Sequence, residues 1–218
     1  MSVVIPFSQA LRERTSASAS GVDAGCSFMT DLMTGRGTRD DYVQMLAQHH
    51  FVYEALERVA ERWAGDPVAR PFLSPALTRL PAIRADLEFL LGEGWRRRIE
   101  PLPVTARYVA RIESASAWVG GFIAHHYTRY LGDLSGCQII RTLMQRQFGF
   151  ETNGVGFFLF AEIARPKEFK GTYRQQLDAV DWTADERERV IDEVVVAYRF
   201  STELFVELAA AKAAAAAA

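Results

Sequence analysis

The chain reads as an all-α protein, and three features of the sequence say so. Apolar residues recur at about the 3.6-residue helical period in almost every segment. Sustained apolar-polar alternation, the mark of strands, is nearly absent. Two stretches, Thr38 to Asp41 and Thr183 to Glu186, carry the spacing of a helix N-terminal capping box. The elements follow in order. Ser8 precedes a first helix expected to run to about Ser20, with Gly21 and Gly25 marking the turn after it. A short helix through Phe28, Met29, Leu32 and Met33 stops at Gly35 and Gly37. The cap at Thr38 opens a long helix ending near Trp63, whose apolar stripe includes Tyr42, Leu46, Val52, Tyr53, Leu56 and Val59. Pro71, Pro75 and Pro81 interrupt the next section. Helices are expected over Leu77–Leu91 and Val104–Val119, and Gly120 and Gly121 then introduce a further helical segment. Beyond "ETNGVG" a helix is expected from about Phe158 to Leu177 despite Pro166, and the box at Thr183 starts a last helix through Leu208.

The length of 218 residues suits one well-filled core, so residues 1–212 are taken as a single domain. The tail "AAAKAAAAAA" forms helix readily but lacks packing specificity, and residues 213–218 are set aside as non-functional. With 25 basic and 27 acidic residues the net charge is −2, which gives no footing for nucleic acid or an anionic membrane surface. The N-terminus lacks a basic region ahead of a long apolar run, and no later segment has the length of a membrane span, so a cytoplasmic protein without a membrane span is expected. Cys26 and Cys137 are the only cysteines, too few for a disulfide framework or a CxxC metal site.

One segment departs from ordinary helix composition. "HHYTRYLGDLSGCQIIRTLM" continues the helical period through Ile139, Ile140, Leu143 and Met144, yet holds Gly132 and Gly136 in its interior. Each interior glycine costs about 1 kcal/mol relative to alanine. Spaced i, i+4, the two leave a turn of bare backbone on one face. Glycine spacing alone favours close helix packing; the polar company of Tyr127, Arg129, Asp133 and Ser135 favours a ligand.

"AHHYTRYLGDLSGCQII" resembles the distal-helix signature of the haem oxygenases, whose usual form is a YTRYLGDLSGGQ-like string. "FMTDLMTGR", "FVYEALE", "IARPKEFKGTYR" and "FSTELFVEL" resemble further segments of that family, so the likeness runs along most of the chain. It implies a single all-α domain with haem between the first helix and the glycine-containing one. It also implies oxidative cleavage of haem to biliverdin, CO and ferrous iron, using O₂ and electrons from a reductase or ferredoxin. Haem (iron protoporphyrin IX) is then both cofactor and substrate. Position by position, Gly132 and Gly136 match the glycines that let backbone lie against haem. Asp133 matches the carboxylate that orders water there, and Tyr127 and Arg129 match its hydrogen-bonding neighbours. Lys170, Arg174 and Arg12 match basic residues that grip the haem propionates; without the resemblance, Lys170 and Arg174 are an ordinary solvated helix pair.

The chain departs from the family at the iron ligand. Counting eight residues on from Leu11 reaches Ala19 where the family has histidine, and no histidine occurs before His49. No residue here is assigned as a metal ligand. His49, His50, His125 and His126 are read as packing or surface residues, and Cys26 as a small buried one. Cys137 stands where the family string has another glycine, and Ser201 where relatives often have asparagine. The expectation is a haem oxygenase with impaired turnover; a non-catalytic haem carrier or sensor on the same fold is the alternative.

Overall fold

The computed structural model describes the backbone of residues 5–24 and 27–217, and their side chains apart from those of 21–24 and 137. Gly25, Cys26 and the side chain of Cys137 therefore lie outside the described residues. Among those described, helices account for nearly all regular structure and no strand occurs.

The first helix, α1 (Phe7–Ala24), buries Phe7, Leu11 and Thr15, one turn apart each. Its hydroxyls bond inward to the helix: Thr15 Oγ1 donates to the Leu11 carbonyl at 2.8 Å and Ser20 Oγ to that of Ser16 at 2.8 Å. That is why a run of serines is tolerated in it. Ser8 lies inside the helix rather than before it and is tied through both backbone N–H and hydroxyl to Asp178. α2 (Ser27–Met33) follows, and α3 (Arg39–Trp63) starts from the expected box, with Asp41 N–H donating to Thr38 Oγ1 at 3.1 Å and Thr38 N–H to Asp41 Oδ2 at 2.7 Å.

The middle of the chain differs from expectation in instructive ways. α4 spans Leu80–Leu91, because Pro81 occupies its first turn and Pro75–Leu77 form a separate 3₁₀ turn. The helix expected from Val104 to Val119 stops at Ala115 as α5 (Pro103–Ala115), and α6 (Val119–His126) begins the further helical segment expected at Gly120 and Gly121. In the first turn of α6 Gly121 passes so close to the Ala115 carbonyl that a β-carbon there would strike it, and Gly120 likewise lies against the Trp118 ring. These are the glycines that close packing requires.

From α6 the chain enters a π-helical turn, Tyr127–Leu131, wholly buried, and then α7 (Gly132–Phe148), closed by Gly149 at φ 71°. The helix expected from Phe158 begins at Pro166, running to Ala179 as α8, since proline is accepted in a first turn and not in an interior. α9 (Ala184–Ala216) opens at its predicted capping box and continues past Leu208 into the alanine tail. Lys212 within that tail reaches Asp41 at 2.9 Å and Asp31 at 3.2 Å, fastening the end of α9 to α2 and α3. α9 is the spine of the fold, packed against α1, α2, α5 and α6, while α3 packs on α4, α5 and α6. No described helix is long and apolar enough to cross a membrane.

Candidate functional site

A cavity of about 480 Å³ opens between α1, α3, the π turn with α7, and α9. Met29, Met45, Leu131, Ile140, Phe157, Phe158 and Phe205 supply its apolar walls. The two phenylalanines of the loop are held by a buried bracket. Asp86 of α4 accepts the backbone N–H groups of Gly154 at 2.9 Å, Gly156 at 3.0 Å and Phe157 at 2.7 Å. Arg79 donates to the carbonyls of Leu159 at 2.7 Å and Phe157 at 3.3 Å, its guanidinium 3.9 Å from the Phe160 ring centre. A carboxylate for the donors and a guanidinium for the acceptors thus satisfy backbone groups that the short 3₁₀ turn Gly156–Phe158 does not pair within itself.

Of the residues singled out from sequence, Arg12, Ala19, Tyr127, Arg129, Gly132, Asp133, Gly136 and Arg174 all line this cavity. Lys170 does not. Its Nζ donates instead to Ser135 Oγ at 2.9 Å, bridging α8 to α7, and burial together with nearby Arg174 lowers its pKa. Arg12 and Arg174 also line a smaller recess with Ser8 and Asp178, so both guanidinium groups stand at the same end of the cavity. Ser201 lines it too, its hydroxyl turned back to the Ala197 carbonyl at 3.0 Å.

Gly132 and Gly136 settle the question their spacing raised. A β-carbon built at either would meet no atom within 4 Å. Close helix packing therefore does not explain them, and the bare backbone faces open cavity. Beside them Arg129 comes within 3.7 Å of Asp133 Oδ1, beyond hydrogen-bond reach, and its guanidinium lies 5.4 Å from the Tyr53 ring centre. Asp133 Oδ2 is buried without a protein partner among the described residues, and burial pushes this carboxyl well above the usual range, toward its neutral, proton-bearing form. Burial likewise raises the Tyr127 phenol, against the opposing effect of Arg174.

The sequence did not point to His49, Met45, Tyr198 or the Phe157-Phe158 pair, which also line the cavity. The signal available was that Met45, His49 and Tyr53 fall one turn apart on α3. None of the four histidines is a surface residue; each is at most 5% exposed.

An apolar slot with one wall of bare helix backbone, two guanidinium groups at one end and a buried carboxyl beside the glycines defines a binder of a flat, mainly apolar ligand with an anionic edge. A sequence model of the family described as "Heme oxygenase" matches residues 5–207. Human heme oxygenase 1 is 35% identical over 206 residues, covering 93% of this chain and 71% of that protein. The crystal structure of heme oxygenase-1 from the cyanobacterium Synechocystis in complex with heme superposes with a TM-score of 0.87 at 31% identity, covering 94% of this chain and 92% of that one. The heme oxygenase of Leptospira interrogans does so with a TM-score of 0.87 at 30% identity, covering 93% and 100%. The chain belongs to the heme oxygenase family.

Proposed function

We propose that the cavity holds haem as cofactor and substrate, and that the chain is a haem oxygenase whose turnover is limited by Ala19. The observation that carries this reading is the open wall at Gly132 and Gly136: glycines in a helix interior, with nothing packed against them, make room for a flat ligand. The apolar walls fit a macrocycle, and Arg12 and Arg174 at one end fit its propionates. When bound, haem supplies the iron that activates O₂ and the macrocycle that is oxidised to biliverdin, CO and ferrous iron, with electrons from an external reductase or ferredoxin. The protein's own part is binding and proton placement. Asp133, whose carboxyl burial makes easier to protonate, can exchange a proton with water in the cavity, while Tyr127 and Arg129 line the same stretch and orient that water. Lys170, tied to Ser135, adds positive charge beside Arg174 rather than lining the cavity. The enzyme works in the cytoplasm.

Ala19 places a methyl group on the cavity wall where the family resemblance expects an imidazole. Without that ligand, the haem enclosure remains but its electronic tuning is weakened. The test is biliverdin formation under reductant and O₂ in the unsubstituted protein and in Ala19→His. A large gain in Ala19→His supports the enzyme reading. Haem uptake by both proteins with no biliverdin from either favours a carrier or sensor instead.

A further inference from the structure

We propose that His49 supplies the axial imidazole that α1 lacks, its Nε2 ligating the iron of haem held in this cavity. The inference rests on the haem reading above and adds a ligand to it.

His49 lines the cavity from α3, and its tautomer is set by the fold. Nδ1 lies 2.7 Å from the Met45 carbonyl oxygen. A carbonyl can only accept, so Nδ1 carries the ring proton and Nε2 carries the lone pair. A backbone carbonyl on one ring nitrogen with the other left for the metal is the arrangement found in metal-ligating histidines. Nε2 has no hydrogen-bond partner among the described residues, on a side chain that is 5% exposed. On a residue that lines the cavity, that lone pair is left for a group held there to take up. The ring is also clamped. Phe157 meets it edge-on at 5.3 Å between centres, and Phe205 stands at 6.5 Å. Burial, reinforced by the charge of Arg129, pushes the imidazole down to about 3, so it is neutral at physiological pH without releasing a proton to bind metal.

The other histidines are committed elsewhere. His125 Nε2 is 2.9 Å from Glu193, His126 Nδ1 is 3.0 Å from the Tyr173 hydroxyl, and His50 packs edge-on against Trp95. None of the three lines the cavity.

The test is hyperfine spectroscopy of the protein loaded with ferric haem and carrying isotope-labelled histidine nitrogen. His49→Leu and His49→Gln serve as variants, with far-UV circular dichroism to confirm that each is folded. The unsubstituted protein should show coupling from one histidine nitrogen in addition to the porphyrin nitrogens. Both variants should lose that coupling and retain haem about tenfold more weakly. Imidazole added to His49→Gly should restore an axial nitrogen. Haem uptake with a histidine coupling that survives both variants, or with no histidine coupling in the unsubstituted protein, overturns the ligand assignment. So does a spectrum that changes in Met45→Leu and not in His49→Leu. Failure of the unsubstituted protein to take up haem at all overturns the haem reading along with it.

Discussion

Replacing Gly136 by alanine separates the two demands that can put glycine inside a helix. If packing requires it, the added methyl clashes and the protein is destabilised. Here a β-carbon at 136 meets no atom within 4 Å, so there is no steric cost to subtract from the helix-propensity gain. That gain is about 0.5–1 kcal/mol, which in a chain of this length raises the melting temperature by about 1–4 °C. The matched control is Gly121→Ala, where the methyl would run into the Ala115 carbonyl; overpacking of that kind costs about 1–3 kcal/mol. Both proteins are melted without ligand by differential scanning calorimetry and then titrated with haem. Gly136→Ala should melt higher yet bind haem at least tenfold more weakly, since its methyl projects into the cavity; Gly121→Ala should melt lower. A ligand-free Gly136→Ala protein that melts below the parent would refute the reasoning, because some part of the fold would then need the glycine for itself.

Removing the Asp86 carboxylate strands three backbone N–H groups, at about 1–3 kcal/mol each when buried. Asp86→Ala should therefore lose at least about 3 kcal/mol in urea denaturation. Asp86→Asn should lose roughly 1 kcal/mol, because Oδ1 still accepts two of the three; equal losses would argue against the bracket. At Glu193, burial raises the carboxyl pKa, but hydrogen bonds from His125 and from both sides of the Arg111 guanidinium outweigh it, bringing it down to about 2. His125 itself is held below its ordinary value by burial, so the balancing charge is that of Arg111. A depressed carboxyl stabilises the fold above its unfolded value of 4.5 and loses that contribution as pH falls toward 2. Melting temperatures of Glu193→Gln followed over that interval should fall less steeply than those of the parent, and parallel curves would count against the depressed carboxyl. Lys212→Ala should cost under about 1 kcal/mol, since the pairs with Asp31 and Asp41 are partly exposed. Its effect should shrink in high salt, as measured by the salt dependence of the melting temperature.

The helical class and the starts of α3 and α9 were legible because local signals suffice for them: a capping box is four residues long and reports its own geometry. Where the reading went astray, a competing local rule or a distant contact had decided the matter. Pro166 was tolerated inside a supposed helix although proline belongs at its start. The break at Ser116–Trp118 depends on how Gly121 meets Ala115, which periodicity does not report. The cavity was only partly visible. Arg12, Arg174 and the residues around Asp133 could be placed by resemblance to a family. The bracket formed by Asp86 and Arg79 could not, because its partners lie some seventy residues away and carry no motif. His49 was invisible for a different reason: whether a helix histidine packs, solvates or faces a cavity depends on which nitrogen its own backbone captures.

The π turn at Tyr127–Leu131 has a consequence for how this segment tolerates change. A π turn carries one more residue per hydrogen-bonded ring than an α turn, so it resets the angular phase of everything after it. His126, which bonds Tyr173, and the pair Asp133 and Gly136, which line the cavity, point as they do because that surplus residue lies between them. Were residues 127 to 131 to take regular α geometry with none removed, the surplus residue would swing every downstream side chain by about 100°. The sequence could keep every cavity residue by name and still aim them at the wrong wall.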